Sequence, residues 1–104
     1  MASVAVRNLE NLYDEKLKMG FATVLVAGVP EKLWKFSQAC YEIVIQARRT
    51  NTGRIYIGGD NVPNDDTTGV YLLAGEKITI HAQNLLDVSI NSTVNNEGVN
   101  YFYW

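Results

Sequence analysis

Five oxygen-bearing side chains crowd one short stretch of the chain: Asp60, Asn61, Asn64, Asp65 and Asp66 all lie within the polar run GDNVPNDDTTG. Carboxylate and amide oxygens this close together could hold a hard cation such as Ca²⁺. The spacing does not fit an EF-hand. A loop starting at Asp60 would place Asp65 at the sixth position, where the tight turn needs glycine, and Tyr71 at the twelfth, where a bidentate glutamate belongs. The run reads as a solvated surface loop, and no metal is expected there. His81 is the sole histidine and Cys40 the sole cysteine, so zinc would have to recruit carboxylates. A Cys40–His81 dyad would lack a third, orienting group. His81 is out of phase with Ile78 and Ile80 and faces outward, whereas Cys40 reads as a small buried hydrophobe. No G-x-S-x-G, Walker loop or dinucleotide fingerprint occurs. No catalytic, metal-binding or cofactor-binding residue is assigned, and the chain does not read as an enzyme.

The elements that position these groups are mostly strands. In residues 41–47, Tyr41, Ile43, Ile45 and Ala47 share one face while Glu42, Val44 and Gln46 share the other, the period of a half-buried strand. Asn51-Thr52-Gly53 makes a turn, and residues 54–58 return with Ile55 and Ile57 inward. Residues 70–74 and 77–82 form a hairpin about Gly75-Glu76. Leu86, Val88 and Ile90 mark another strand, Asn95-Asn96-Glu97-Gly98 another turn, and residues 99–104 a last strand. Upstream, FATVLVAG from Phe21 reads as a strand buried on both faces, and residues 31–37 as loop or short strand. The first twenty residues differ. Leu9, Leu12, Tyr13 and Leu17 recur at helical spacing, with Gly20 as a stop. The chain therefore reads as an N-terminal helical segment or arm over 1–20 and an antiparallel β-sandwich or jelly roll of seven or eight short strands over 21–104.

Composition narrows the function classes. At 104 residues there is room for one domain. Hydrophobic residues make up 47% and charged residues 19%, a surface poor in charge that suits an oligomer interface. Nine basic residues against eleven acidic ones give a net charge of −2, without the basic stripe that nucleic acid binding requires. No apolar run approaches a membrane span and the leading residues lack signal-peptide character, so synthesis in a cytoplasm is expected. The sequon Asn91-Ser92-Thr93 carries no weight in that context.

The closing strand VNYFYW is aromatic on both faces: Val99, Tyr101 and Tyr103 on one, Phe102 and Trp104 on the other. One face can enter the core, and the other must pack against the rest of the chain or a partner. Trp34, between Lys32 and Lys35, poses the same alternative. Interface candidates are Leu9, Leu12, Tyr13, Trp34, Phe102 and Trp104.

Cys40, Ile45-Gln46-Ala47, Asn51-Thr52-Gly53, Ile55-Tyr56-Ile57-Gly58, Val62, Gly69-Val70, Leu72 and Gly75-Glu76 follow one another in an order that resembles small virion β-proteins of tailed bacteriophages. The resemblance spans residues 22–82. Beyond it, residues 86–90 and Asn96-Glu97-Gly98 stand where that family continues with a strand carrying tyrosine or isoleucine and an A-G-Q-like turn. The resemblance implies a non-enzymatic capsid decoration or cement protein, made in the host bacterial cytoplasm and carried in the virion. Its partners would be the major capsid protein or another virion protein, and it would assemble as a homodimer or trimer without nucleic acid or membrane. Alternatives are a neck, tail or fibre-associated component, or a carbohydrate-binding module using Trp34, Tyr71 or Trp104 to stack on sugars.

Overall fold

A computed structural model describes residues 17–67 and 69–104. Among the described residues eight strands follow in chain order: β1 (Lys18–Val24), β2 (Glu31–Lys32), β3 (Glu42–Ala47), β4 (Ile55–Gly58), β5 (Val70–Leu72), β6 (Lys77–His81), β7 (Ser89–Ser92) and β8 (Glu97–Tyr103). They form two four-stranded antiparallel sheets, ordered β1-β8-β3-β6 and β2-β7-β4-β5. Strand four pairs with five, three with six, two with seven and one with eight. This is the strand order of a jelly roll, a long two-stranded ribbon wrapped until its first and last strands meet.

Period-2 alternation decides what lies between the sheets. Val24, Ile43, Ile45, Ala47 and Val99 from the first sheet face Ile55 and Ile90 from the second, all with no exposed surface. Each buried valine or isoleucine of this set stabilises the fold by about 1.5–3 kcal/mol. Tyr101 joins them, and its hydroxyl donates to the Leu33 carbonyl at 3.0 Å, so its one polar atom is satisfied inside.

Several expectations are corrected. Lys18, Met19 and Gly20 belong to β1, and Gly20 ends no helix. It lies opposite Tyr101, where a Cβ would come within 2.6 Å of that ring, so the glycine makes room for the tyrosine. Residues 1–16 of the expected helical segment, with Leu9, Leu12 and Tyr13, lie outside the described residues. The FATVLVAG run is not buried on both faces: β1 is an edge strand, and Phe21 is 70% exposed. Tyr41 falls outside β3 and is exposed. Leu85–Asp87 forms a 3-10 turn, capped by the Asn84 side chain accepting from the Leu86 amide, and the strand starts only at Ser89. Glu97 and Gly98 open β8, so the turn into it is made by the residues just before, with Asn96 at φ 63°.

Buried polar side chains hold the loop end of the sandwich. Gly98 donates its amide to Asn51 Oδ1 at 3.3 Å, and its carbonyl accepts from Asn51 Nδ2 at 2.8 Å and from the Arg48 amide at 3.1 Å. The Glu97 carboxylate accepts from the Thr52 amide at 2.6 Å, the Thr52 hydroxyl at 2.9 Å and the Gly53 amide at 2.8 Å. The turn between β3 and β4 is thus clasped to the start of β8. Burial pushes the Glu97 carboxyl up, but the two amides and the hydroxyl outweigh it and hold the group below its ordinary value. Gly98 also passes so close to β1 that an added Cβ would overlap the Ala22 carbonyl oxygen.

Two outcomes follow from this clasp. Gly98→Ala should lower stability by roughly 3 kcal/mol, the upper end for forced overpacking, because its obstacle is backbone that cannot rotate away; a urea midpoint equal to wild type would refute the close approach. Glu97 stabilises the fold fully at neutral pH and loses that contribution as pH falls below roughly 4.3 and through its depressed folded value. Glu97→Gln should cost about 2 kcal/mol at pH 7 and flatten the acid limb of a stability-versus-pH curve measured by urea denaturation.

Candidate functional site

The residues with chemical potential are used for structure. In the polar loop between β4 and β5, Asp60 accepts from Lys32 Nζ at 2.7 Å. Asp66 accepts from the Tyr56 hydroxyl at 2.6 Å and from Arg54 at 3.0 and 3.2 Å. Asp65 accepts from the Thr67 amide at 2.9 Å, and Asn64 donates to the Ser92 carbonyl at 3.2 Å. The Arg54 guanidinium lies 4.6 Å over the Tyr71 ring. This loop therefore covers the outer face of β4, which explains why Tyr56 is buried although it points away from the core. The carboxylates are spread among separate cationic and backbone partners, and the described residues contain no group of three metal-ligating side chains.

His81 sits opposite Glu42 on the outer face of the first sheet, with Nε2 3.3 Å from the carboxylate and most of the ring in solvent. Cys40 is buried, its thiol directed at the Ala82 carbonyl at 3.1 Å. Burial, with Asp87 nearby, raises its pKa, so it is a poor nucleophile at neutral pH. Asn91 is 1% exposed. Its Oδ1 accepts from the Gly28 and Ser92 amides and its Nδ2 donates to the Val62 carbonyl, tying two loops to β7. In the folded chain its amide is closed to glycosylation.

What remains available is apolar surface. On the outer face of the first sheet Phe102 stacks on Trp104, with ring centroids 5.9 Å apart and 23° between planes. Beside them on β1 stand Met19 and Phe21, the latter beneath the Arg48 guanidinium. Met19, Phe21 and Phe102, with Val44, Gln46, Lys77 and Asn100, line a groove of about 500 Å³. Trp104 instead borders a second hollow of about 480 Å³ at the end of the sandwich, between Tyr103, Cys40 and Tyr41. The structure thus brings Phe102 and Trp104 together. It places Trp34 elsewhere, after β2, edge-on to Phe36 at 5.6 Å with Lys35 over the Phe36 ring. A third exposed group, Leu25, Val26 and Val29, lies on the connection from β1 to β2.

Phe21 was missed as a surface residue because an unbroken apolar run suggests burial on both faces, and Met19 because it fell in the segment read as helix or arm. The discriminating signal was present in the alternation itself: Ala22 and Val24 are buried, and Phe21 lies out of phase with them. The difference between core and surface aromatics is measurable. Leu25→Ser and Phe36→Ser should leave thermal stability within about 0.5 kcal/mol of wild type. Tyr101→Phe should cost about 1–3 kcal/mol, because it strands the Leu33 carbonyl inside. Calorimetry of the three variants checks the assignment.

Compared with known proteins, the chain matches no family model, no curated protein and no solved structure.

Proposed function

We propose that this chain is a non-enzymatic structural protein of a tailed-phage virion, a decoration or cement protein that bridges coat subunits. The observation that carries the reading is the distribution of exposed apolar side chains on a body whose polar groups are tied up internally. Met19, Phe21 and Phe102 occupy one sheet face, Trp34 and Phe36 the connection after β2, and Leu25, Val26 and Val29 the connection before it. A protein that joins two neighbours needs two adhesive surfaces held at a fixed separation, and the jelly roll supplies a rigid spacer between them. Aromatic side chains suit such contacts, since each covers a large area with few rotatable bonds. Repeated copies at symmetry-related positions on a shell gain avidity from individually modest contacts. The resemblance of residues 22–82 to small phage virion proteins supports the same role.

A neck, tail or fibre position would use the same surfaces. Saccharide binding is the reading from a different class, favoured by the mixture of Phe102 and the Asn100 amide in the 500 Å³ groove.

The test is co-sedimentation of purified protein with mature or expanded shells of the phage concerned. Saturable binding at a stoichiometry set by shell symmetry, with raised thermal resistance of the particle, is expected. Combined Trp34→Ala and Phe102→Ala should weaken binding at least tenfold. Absence of binding to every shell form would refute the decoration role, and saturable retention on a glycan panel lost in Phe102→Ala would replace it with saccharide recognition.

A further inference from the structure

The four sheet edges of this sandwich are not alike. Two of them are too short to template another strand, because β2 has two residues and β5 three. The third, β6, carries Lys77 and His81 at its ends, with His81 already paired to Glu42. Short length and charge are the usual ways in which an edge is protected from pairing with another chain. The fourth edge, β1, has neither. It runs for seven residues, KMGFATV, contains no proline, and bears a single charge at Lys18, its first residue. Among the described residues no strand lies beyond it. Its outward side chains are among the most exposed apolar groups of the chain, with Met19 at 82% and Phe21 at 70%.

We infer that β1 is a homodimerisation edge, at which two copies pair antiparallel about Phe21 and join their β1-β8-β3-β6 sheets into one eight-stranded sheet. The strand sequence is self-complementary in this register. Phe21 meets Phe21 of the second copy, Met19 meets Thr23, Gly20 meets Ala22, and Lys18 meets Val24. Residues directly opposite in an antiparallel pair project from the same face, so the two phenylalanines stack on the outer face, flanked by the two methionines. The two Lys18 side chains fall at opposite ends of a seven-residue ladder, on the order of 20 Å apart, beyond the roughly 8 Å over which charges act at physiological salt. The β6 edge is shorter, and self-pairing about Thr79 would set Lys77 opposite His81. Pairing also places the two 500 Å³ grooves on one side of the joined sheet and makes their apolar lining continuous across the twofold axis. The inference concerns contacts between copies and does not depend on what surface the protein joins.

Light scattering on a sizing column at several concentrations reads the mass directly. The full chain should elute at twice the monomer mass at high concentration. Phe21→Lys, which sets two ammonium groups face to face on an exposed position, should give a monomer with unchanged circular dichroism. Phe21→Cys should form a disulfide-linked dimer under mild oxidation, because opposed positions at the centre of the register bring the thiols together. Thr79→Cys on the exposed face of β6 should not, and Cys40, being buried, leaves the wild-type background unlinked. A monomer at every concentration, with Phe21→Cys unlinked, overturns the inference and leaves the edge to a strand of a different protein. A stable trimer overturns it as well, since twofold edge pairing closes at two copies.

Discussion

The clasp between the Asn51-Thr52-Gly53 turn and the Glu97-Gly98 start of β8 is the contact on which the architecture rests. It joins the middle of the chain to its last strand, and β8 in turn lies between β1 and β3 in the first sheet. Five hydrogen bonds connect the two segments, all from side chains of Asn51, Thr52 or Glu97 or from backbone they address. A carboxylate with so little exposed surface is tolerated only because every donor it faces is fixed in place. The same burial gives directionality: an apolar contact would tolerate slippage by a residue, whereas an amide that reads both the N–H and the C=O of Gly98 accepts one register. Since a one-residue slip would turn the core face of β8 outward, this polar contact sets which aromatics are inside.

That division produces both the core and the exposed surface. Once Val99 and Tyr101 are inside, Phe102 must be outside, and the pairing of Met19 with Phe102 carries the β1 side chains onto the same outer face. The wall of the groove formed by Met19, Phe21 and Phe102 is therefore a geometric result of the core register, brought together from β1 and β8. A second polar network around Asn91 does for the connections what the clasp does for the sheet, holding the Gly28 and Val62 loops against β7.

Much of the β-architecture was legible in the alternation of residues 41–47 and 77–82, because those strands have one face in the core and one in solvent. The jelly-roll order was not, since period-2 patterning specifies faces and leaves partners open. Misreadings clustered where a different constraint governs sequence. The run from Phe21 is apolar for two reasons at once, core on one side and exposed surface on the other, and composition alone cannot separate them. Leu86 fitted a strand by spacing, but Asn84 caps a 3-10 turn there and the strand begins later. Glu97 looked like turn chemistry because acidic residues rarely enter a core, and its donors lie more than forty residues away. The acidic loop was recognised as surface, while its role as a lid on Tyr56 depended on the loop folding back over β4 so that Asp66 meets Arg54 and the Tyr56 hydroxyl.

The wrapping order has a kinetic consequence. In a jelly roll the first strand finds its partner in the last, so β1, from Lys18 opposite Tyr103 to Val24 opposite Glu97, has no native neighbour in its sheet until β8 has been made. Translation proceeds at roughly 5–20 residues per second, which leaves an apolar strand waiting for several seconds with both edges open. Closing so distant a pair is also slow in its own right, because the loop entropy must be overcome before the contacts form. Until β8 arrives, the most adhesive strand of the protein is also its least protected, and crowding of nascent chains at that stage acts on β1 before on any other strand.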